Sequence, residues 1–163
     1  MDTNVILEAH RTASWRTLAS RHRLETVTEC VTETQTGALR RSPADRVDET
    51  ALRASLSAVH DVSPGERAAA LLRDAYLSRL DAGEAALWCH ALSRPDAWML
   101  CGPDAVSLRL GVRLGFRQRL VALETLLSTI GHRPRVALHR NYTRAWHEER
   151  VAMLAVEEGL GPA

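Results

Sequence analysis

The chain has 163 residues, 45% of them hydrophobic and 25% charged, with a formal net charge of +1. That is the profile of one soluble globular domain able to bury about two thirds of its unfolded surface, and no apolar run reaches the roughly 20 residues that a membrane span needs, so a membrane is excluded as a partner. Cys30, Cys89 and Cys101 are odd in number and form no CxxC spacing, which argues against a disulfide framework and a zinc site; with no secretory signal pattern at the N-terminus, the expected location is a reducing cytoplasm.

All 21 basic residues are arginine, and isoleucine occurs only at Ile6 and Ile130, a bias of GC-rich coding that carries no functional message. The charge is unevenly spread. Residues 1–104 hold 12 arginines against 15 acids, and residues 105–163 hold 9 against 5. An acidic front and a basic back suit an acidic metal pocket beside a polyanion-binding surface, and a solvated helix face gives the same count.

Asp2-Thr3-Asn4 precedes the apolar run Val5-Ile6-Leu7, read as part of an opening strand, and 8–22 reads as a helix with Ala9, Ala13, Trp15, Leu18 and Ala19 on its apolar stripe. A short extended segment at 24–27 leads to Thr28, a candidate cap for a helix through Ala38 with Gly37 near its stop; Glu29 and Glu33 share a face of that helix. Residues 40–48 read as a polar linker, and 59–62 as a short strand. Ser63-Pro64-Gly65-Glu66 is a helix start for 66–80, with Ala69, Leu72, Ala75, Tyr76 and Leu80 expected inward. Asp81-Ala82-Gly83-Glu84 opens a helix over 84–92 with a capping-box pattern that explains both acids without any metal, and His90 reads as a packed or half-exposed histidine. An apolar strand at 97–101 ends in Gly102-Pro103-Asp104, which places Asp104 at the carboxyl edge of a sheet and at the mouth of a helix over 105–115. After the apolar segment 118–130, residues 132–150 interleave five arginines and three histidines with Tyr142 and Trp146. That pattern suits a single-stranded nucleic acid, or equally an amphipathic helix docked on its own domain or on a twin.

Asp2-Thr3-Asn4, Glu33, the Gly83-Glu84 pair and Asp104, in that order, resemble the acidic set of the PIN-domain ribonucleases over residues 2–130. The resemblance implies an α/β, three-layer PIN-like fold with a short central parallel sheet flanked by helices. It implies a nuclease domain over 1–131, followed by a basic, amphipathic helical extension over 132–163. It also implies Asp2, Glu84 and Asp104 as ligands of Mg2+ (or Mn2+), Glu33 as a further catalytic acid that binds the ion or orients water, and Thr3, Asn4 and Asp81 as support. Arg109 and Arg113 would hold RNA. The partners it implies are an RNA substrate, a small antitoxin protein if the chain is toxin-like, and a homodimeric twin. The sequence departs from the family in two places. Only Met1 precedes the first aspartate, so either a strand begins upstream or Asp2 sits on a fraying terminus, where ordering costs about 1 to 2 kcal/mol per residue. Cys101, Gly102 and Pro103 also offset Asp104 from the expected alignment.

Crowded carboxylates stay ionised near neutral pH only beside a positive charge, and an oxygen-only donor set favours magnesium or manganese over zinc. Three other readings compete with the nuclease. One is a PIN-like module with a decayed site, in which Arg109, Arg113, Arg117 and Arg119 hold RNA or protein. Another is an all-helical interaction protein, and the last is a Ser/His or Cys/His hydrolase, for which no nucleophile elbow is present.

Overall fold

The computed structural model describes residues 1–36 and 46–161; the expected helix stop at Gly37 and most of the 40–48 linker lie outside the described residues. The chain is mixed α and β, which removes the all-helical reading. Strand β1 (Glu25–Val27) pairs parallel with β2 (Ala58–His60), Glu25 opposite Ala58 and Val27 opposite His60. Strand β3 (Leu100–Cys101) pairs parallel with β4 (Leu120–Val121).

Met1 and Asp2 lie between the two pairs. The Met1 ammonium donates to the Glu25 carbonyl (2.8 Å), the Thr26 hydroxyl to the Met1 carbonyl (2.6 Å), and the Asp2 N–H to the Cys101 carbonyl (3.1 Å). The spatial order is therefore β2, β1, Met1-Asp2, β3, β4. Asp2 is not frayed: it is 3% exposed.

The expected opening strand is absent: Met1 and Asp2 are extended backbone outside any strand, and helix α1 (Thr3–Arg11) starts at once. The Asp2 carboxylate accepts the Asn4 N–H (3.1 Å), and Val5, Ile6 and Ala9 recur at helical spacing and are buried. The one helix expected over 8–22 is two. The Thr12 hydroxyl turns back on the Glu8 carbonyl (2.9 Å) and bonds the Ser14 hydroxyl (3.0 Å), Ala13 takes a left-handed backbone (φ 55°), and α2 (Trp15–Arg21) begins afresh.

Helix α3 (Thr28–Gln35) has Val27 at its cap position instead of Thr28, whose hydroxyl donates to Asp61 (2.6 Å). Helix α4 (Glu49–Ser55), capped by Asp48, precedes β2, so that strand ends two residues earlier than expected. The full capping box of Ser63 and Glu66 starts α5 (Pro64–Arg73). Asp74 then ends the α-helix and caps a 3-10 helix (Ala75–Arg79). The buried positions of this stretch are Ala70 and Leu77; of the residues expected inward, Ala69, Leu72 (89% exposed) and Ala75 face solvent, and Tyr76 and Leu80 are half-buried.

Helix α6 (Ala82–Ser93) is capped by Asp81 and α7 (Ala105–Arg113) by Asp104; α8 (Leu123–Thr129) and α9 (Arg144–Glu157) complete the helices used below. Two apolar clusters form the core. Adjacent strand residues divide between them, Cys101 and Val121 in one and Leu100 and Leu120 in the other, as the pleat requires. The tail joins both: Leu138 and Tyr142 pack on the first cluster, and Leu154 and Ala155 belong to the second. Buried Glu8 anchors it by accepting the His139 N–H (2.8 Å) while paired with Arg11. No helix among the described residues is long and apolar enough to cross a membrane.

Candidate functional site

Four chain segments deliver carboxylates to one place. Asp2 comes from the residues that join the strand pairs, Glu33 from α3, Asp81 and Glu84 from the start of α6, and Asp104 from the start of α7. Gly102 lets the chain leaving β3 pass close to Asp2: a Cβ there would stand 3.3 Å from the Asp2 Cβ. Gly83 plays the same part for Glu33. Its N–H donates to Glu33 Oε1 (2.8 Å), and a Cβ at this position would meet the Glu33 Cδ at 2.7 Å, closer than side chains approach one another. The Thr3 hydroxyl donates to Glu33 Oε2 (2.6 Å), so one carboxylate ties the beginnings of α1 and α6 together.

Glu84 is 5% exposed and forms only half of a capping box. Its N–H donates to Asp81 Oδ1 (2.9 Å), while its own side chain turns inward among the acids. Burial first, and then the charges of Asp104, Asp81, Asp2 and Glu33, push its carboxyl up to about 9. Burial also raises Asp2, to about 6, against the lowering pull of the chain's ammonium group and the Asn4 N–H; Asp81 adds to the rise. These mutual effects are the electrostatic signature of carboxylates crowded in a poorly hydrated pocket.

The remaining expected residues divide. The Thr3 hydroxyl supports Glu33, and its backbone N–H helps hold the Asp2 carboxylate. Asn4 contributes its backbone N–H, and its side chain is exposed, so the amide support expected of it is absent. Asp81 and Asp104 both spend an oxygen on helix caps; Asp104 Oδ1 accepts from Val106 N (2.6 Å) and Ser107 N (3.0 Å). Glu29, the alternative to Glu33, pairs with Arg67. Arg109 and Arg113 are drawn to acids of the tail: Arg109 pairs with Glu157 and with Glu158 (2.7 Å), and Arg113 with Glu158 (2.9 Å) and Asp74 (2.8 Å). Beside them Tyr76 lies under both Arg79 and Arg113.

A second group of ligand-type side chains was not legible in the sequence. Glu25, His60 and His90 each offer an atom within 4.8 Å of the others, from β1, β2 and α6. They are about thirty residues apart along the chain, so no local spacing could have revealed them. Comparison with protein-family models, with curated proteins and with solved structures gives no match to this chain.

Proposed function

We propose that the chain is a divalent-cation-dependent endoribonuclease of three-layer, PIN-like architecture, hydrolysing RNA phosphodiesters at the acid pocket. The reading rests on one observation: five carboxylates from four segments share one pocket, where burial and then their mutual repulsion push Glu84 to about 9. A protein pays for such crowding when a cation is to be held there, and an oxygen-only donor set matches Mg2+ or Mn2+.

Asp2, Glu84 and Asp104 would hold the ion. Bound there, it would supply Lewis-acid stabilisation of the charge developing on phosphate and leaving oxygen. Glu33 would orient the attacking water; its two oxygens are fixed by Thr3 and Gly83, and each retains a lone pair. Asp81 keeps the start of α6, and with it Glu84, in position. The RNA strand would run from the pocket along α7, where Arg109 and Arg113 follow Asp104 on the same helix. The toxin-like form of the reading brings with it a small inhibitor protein.

RNA cleavage with magnesium or manganese, with and without chelator, tests the proposal. Glu84→Gln and Asp104→Asn should each lower the rate by at least about 10²-fold with the fold retained by circular dichroism. The competing reading is a PIN-like binding module without catalysis, favoured by the commitment of Asp81 and Asp104 oxygens to helix caps. RNA binding unaffected by chelator, with no cleavage by the wild type, would select it.

A further inference from the structure

The acid pocket uses only one end of α6. Six residues beyond Glu84, about 9 Å along the helix, His90 faces the strands. The pleat puts Glu25 and His60 on one face of the β1–β2 pair together with Val27, which belongs to the core cluster that also contains Ala86 and Leu87 of α6. Glu25 Oε2 lies 3.0 Å from His60 Nε2, and the His60 and His90 rings stack with centroids 3.9 Å apart. Arg94 Nη1 touches Glu25 Oε2 and stands 3.4 Å from His90 Nε2. A guanidinium thus occupies the space between a carboxylate and an imidazole, where a cation is wanted.

We propose that Glu25, His60 and His90 form a binding site for a borderline transition-metal dication of the zinc class, in which Arg94 holds the place until the ion enters. Two imidazoles and one carboxylate are the donor set that zinc takes and magnesium does not. The guanidinium has somewhere to go. Its Nε and Nη2 already hold the exposed Asp96 at 2.8 and 2.6 Å, so it can release Glu25 and remain paired.

The charges around the group suit a dication. Glu25 and Asp96, paired with Arg94 and the mostly exposed Arg23, together with Glu66 beside His90, make three acids against two arginines, a formal balance of −1. A cavity of about 310 Å3 lined by Glu25, His90 and Arg94 gives access from solvent and room for a water as fourth ligand. Zinc there would pin α6 to the hydrogen-bonded pair β1–β2, which it otherwise meets through apolar contacts and this ion network.

The test is a calorimetric titration of the chelator-stripped full chain with zinc chloride, in buffer containing magnesium to occupy the acid pocket. One zinc should bind per chain, and His60→Gln and His90→Gln should each weaken binding by about tenfold or more. Arg94→Met removes the competing cation and should tighten binding by about threefold or more, a direction that a purely structural ion network would not produce. Glu84→Gln should leave zinc affinity unchanged. Absence of saturable zinc binding, binding indifferent to both histidine substitutions, or binding lost only in Glu84→Gln would overturn the site. Near-ultraviolet circular dichroism of each variant confirms that folded protein is being titrated.

Discussion

Glu84 carries a measurable liability. Its folded pKa, about 9, lies well above the ordinary 4.5, so the folded chain holds a proton there that the unfolded chain releases. Stability from this group is fully present below about 4.5 and is lost as pH rises through about 9. In chelator, the wild type should therefore lose about 1 to 3 kcal/mol more than Glu84→Gln between about pH 5 and pH 8, read from denaturant melts; magnesium should restore most of it. Parallel pH curves for the two proteins would refute the crowded pocket. Part of this was legible in the sequence. Asp81 and Asp104 stand where helix caps belong and do cap α6 and α7, so the cap reading of both acids is borne out. Glu33 was harder to separate from Glu29, since both occupy one stripe of α3. Only the tertiary fold sends Glu29 to Arg67 and Glu33 to Gly83.

At the scale of elements, the helix starts at Ser63, Asp81 and Asp104 were readable, and three strands overlap the extended segments expected at 24–27, 59–62 and 97–101, though not their bounds. Ser63 and Glu66 form the box that their spacing announces, because a cap is a local device completed within four residues. The strands are two or three residues long, too short to display an alternating pattern, and a helix after Asp2 stands where the opening one was expected. The break at Ala13 depends on hydroxyl contacts that no periodicity encodes. Helix α9 adds a consequence of its own: its last residue Glu157 and the following Glu158 occupy the arginines that α7 would offer to a phosphate backbone. The double substitution Glu157→Gln, Glu158→Gln should raise RNA affinity about three- to tenfold and steepen its salt dependence by one to two counterions, roughly one per arginine released. Filter binding across a salt series measures both, and an unchanged slope would mean that Arg109 and Arg113 lie off the RNA path.

For the whole molecule, composition and charge pointed to a globular chain, and alternating strand and helix signals to a mixed α and β fold. How the halves are joined was not visible, because three hydrogen bonds made by two residues leave no trace in a hydropathy pattern. The two strand pairs are separate two-stranded sheets linked only by Met1-Asp2, so the link between them is the narrowest part of the arrangement. Such a joint is a hinge line, and Asp2, the first proposed ligand of the acid pocket, sits on it. Breathing should start there: the Asp2 amide should exchange its hydrogen sooner than those of α7, and magnesium should slow it selectively. An Asp2 amide as slow as the α7 core in chelator would show the joint to be rigid. If it is soft, an ion bound among these acids acts as a rivet across the joint, and occupancy of the pocket and cohesion of the two strand pairs become one quantity.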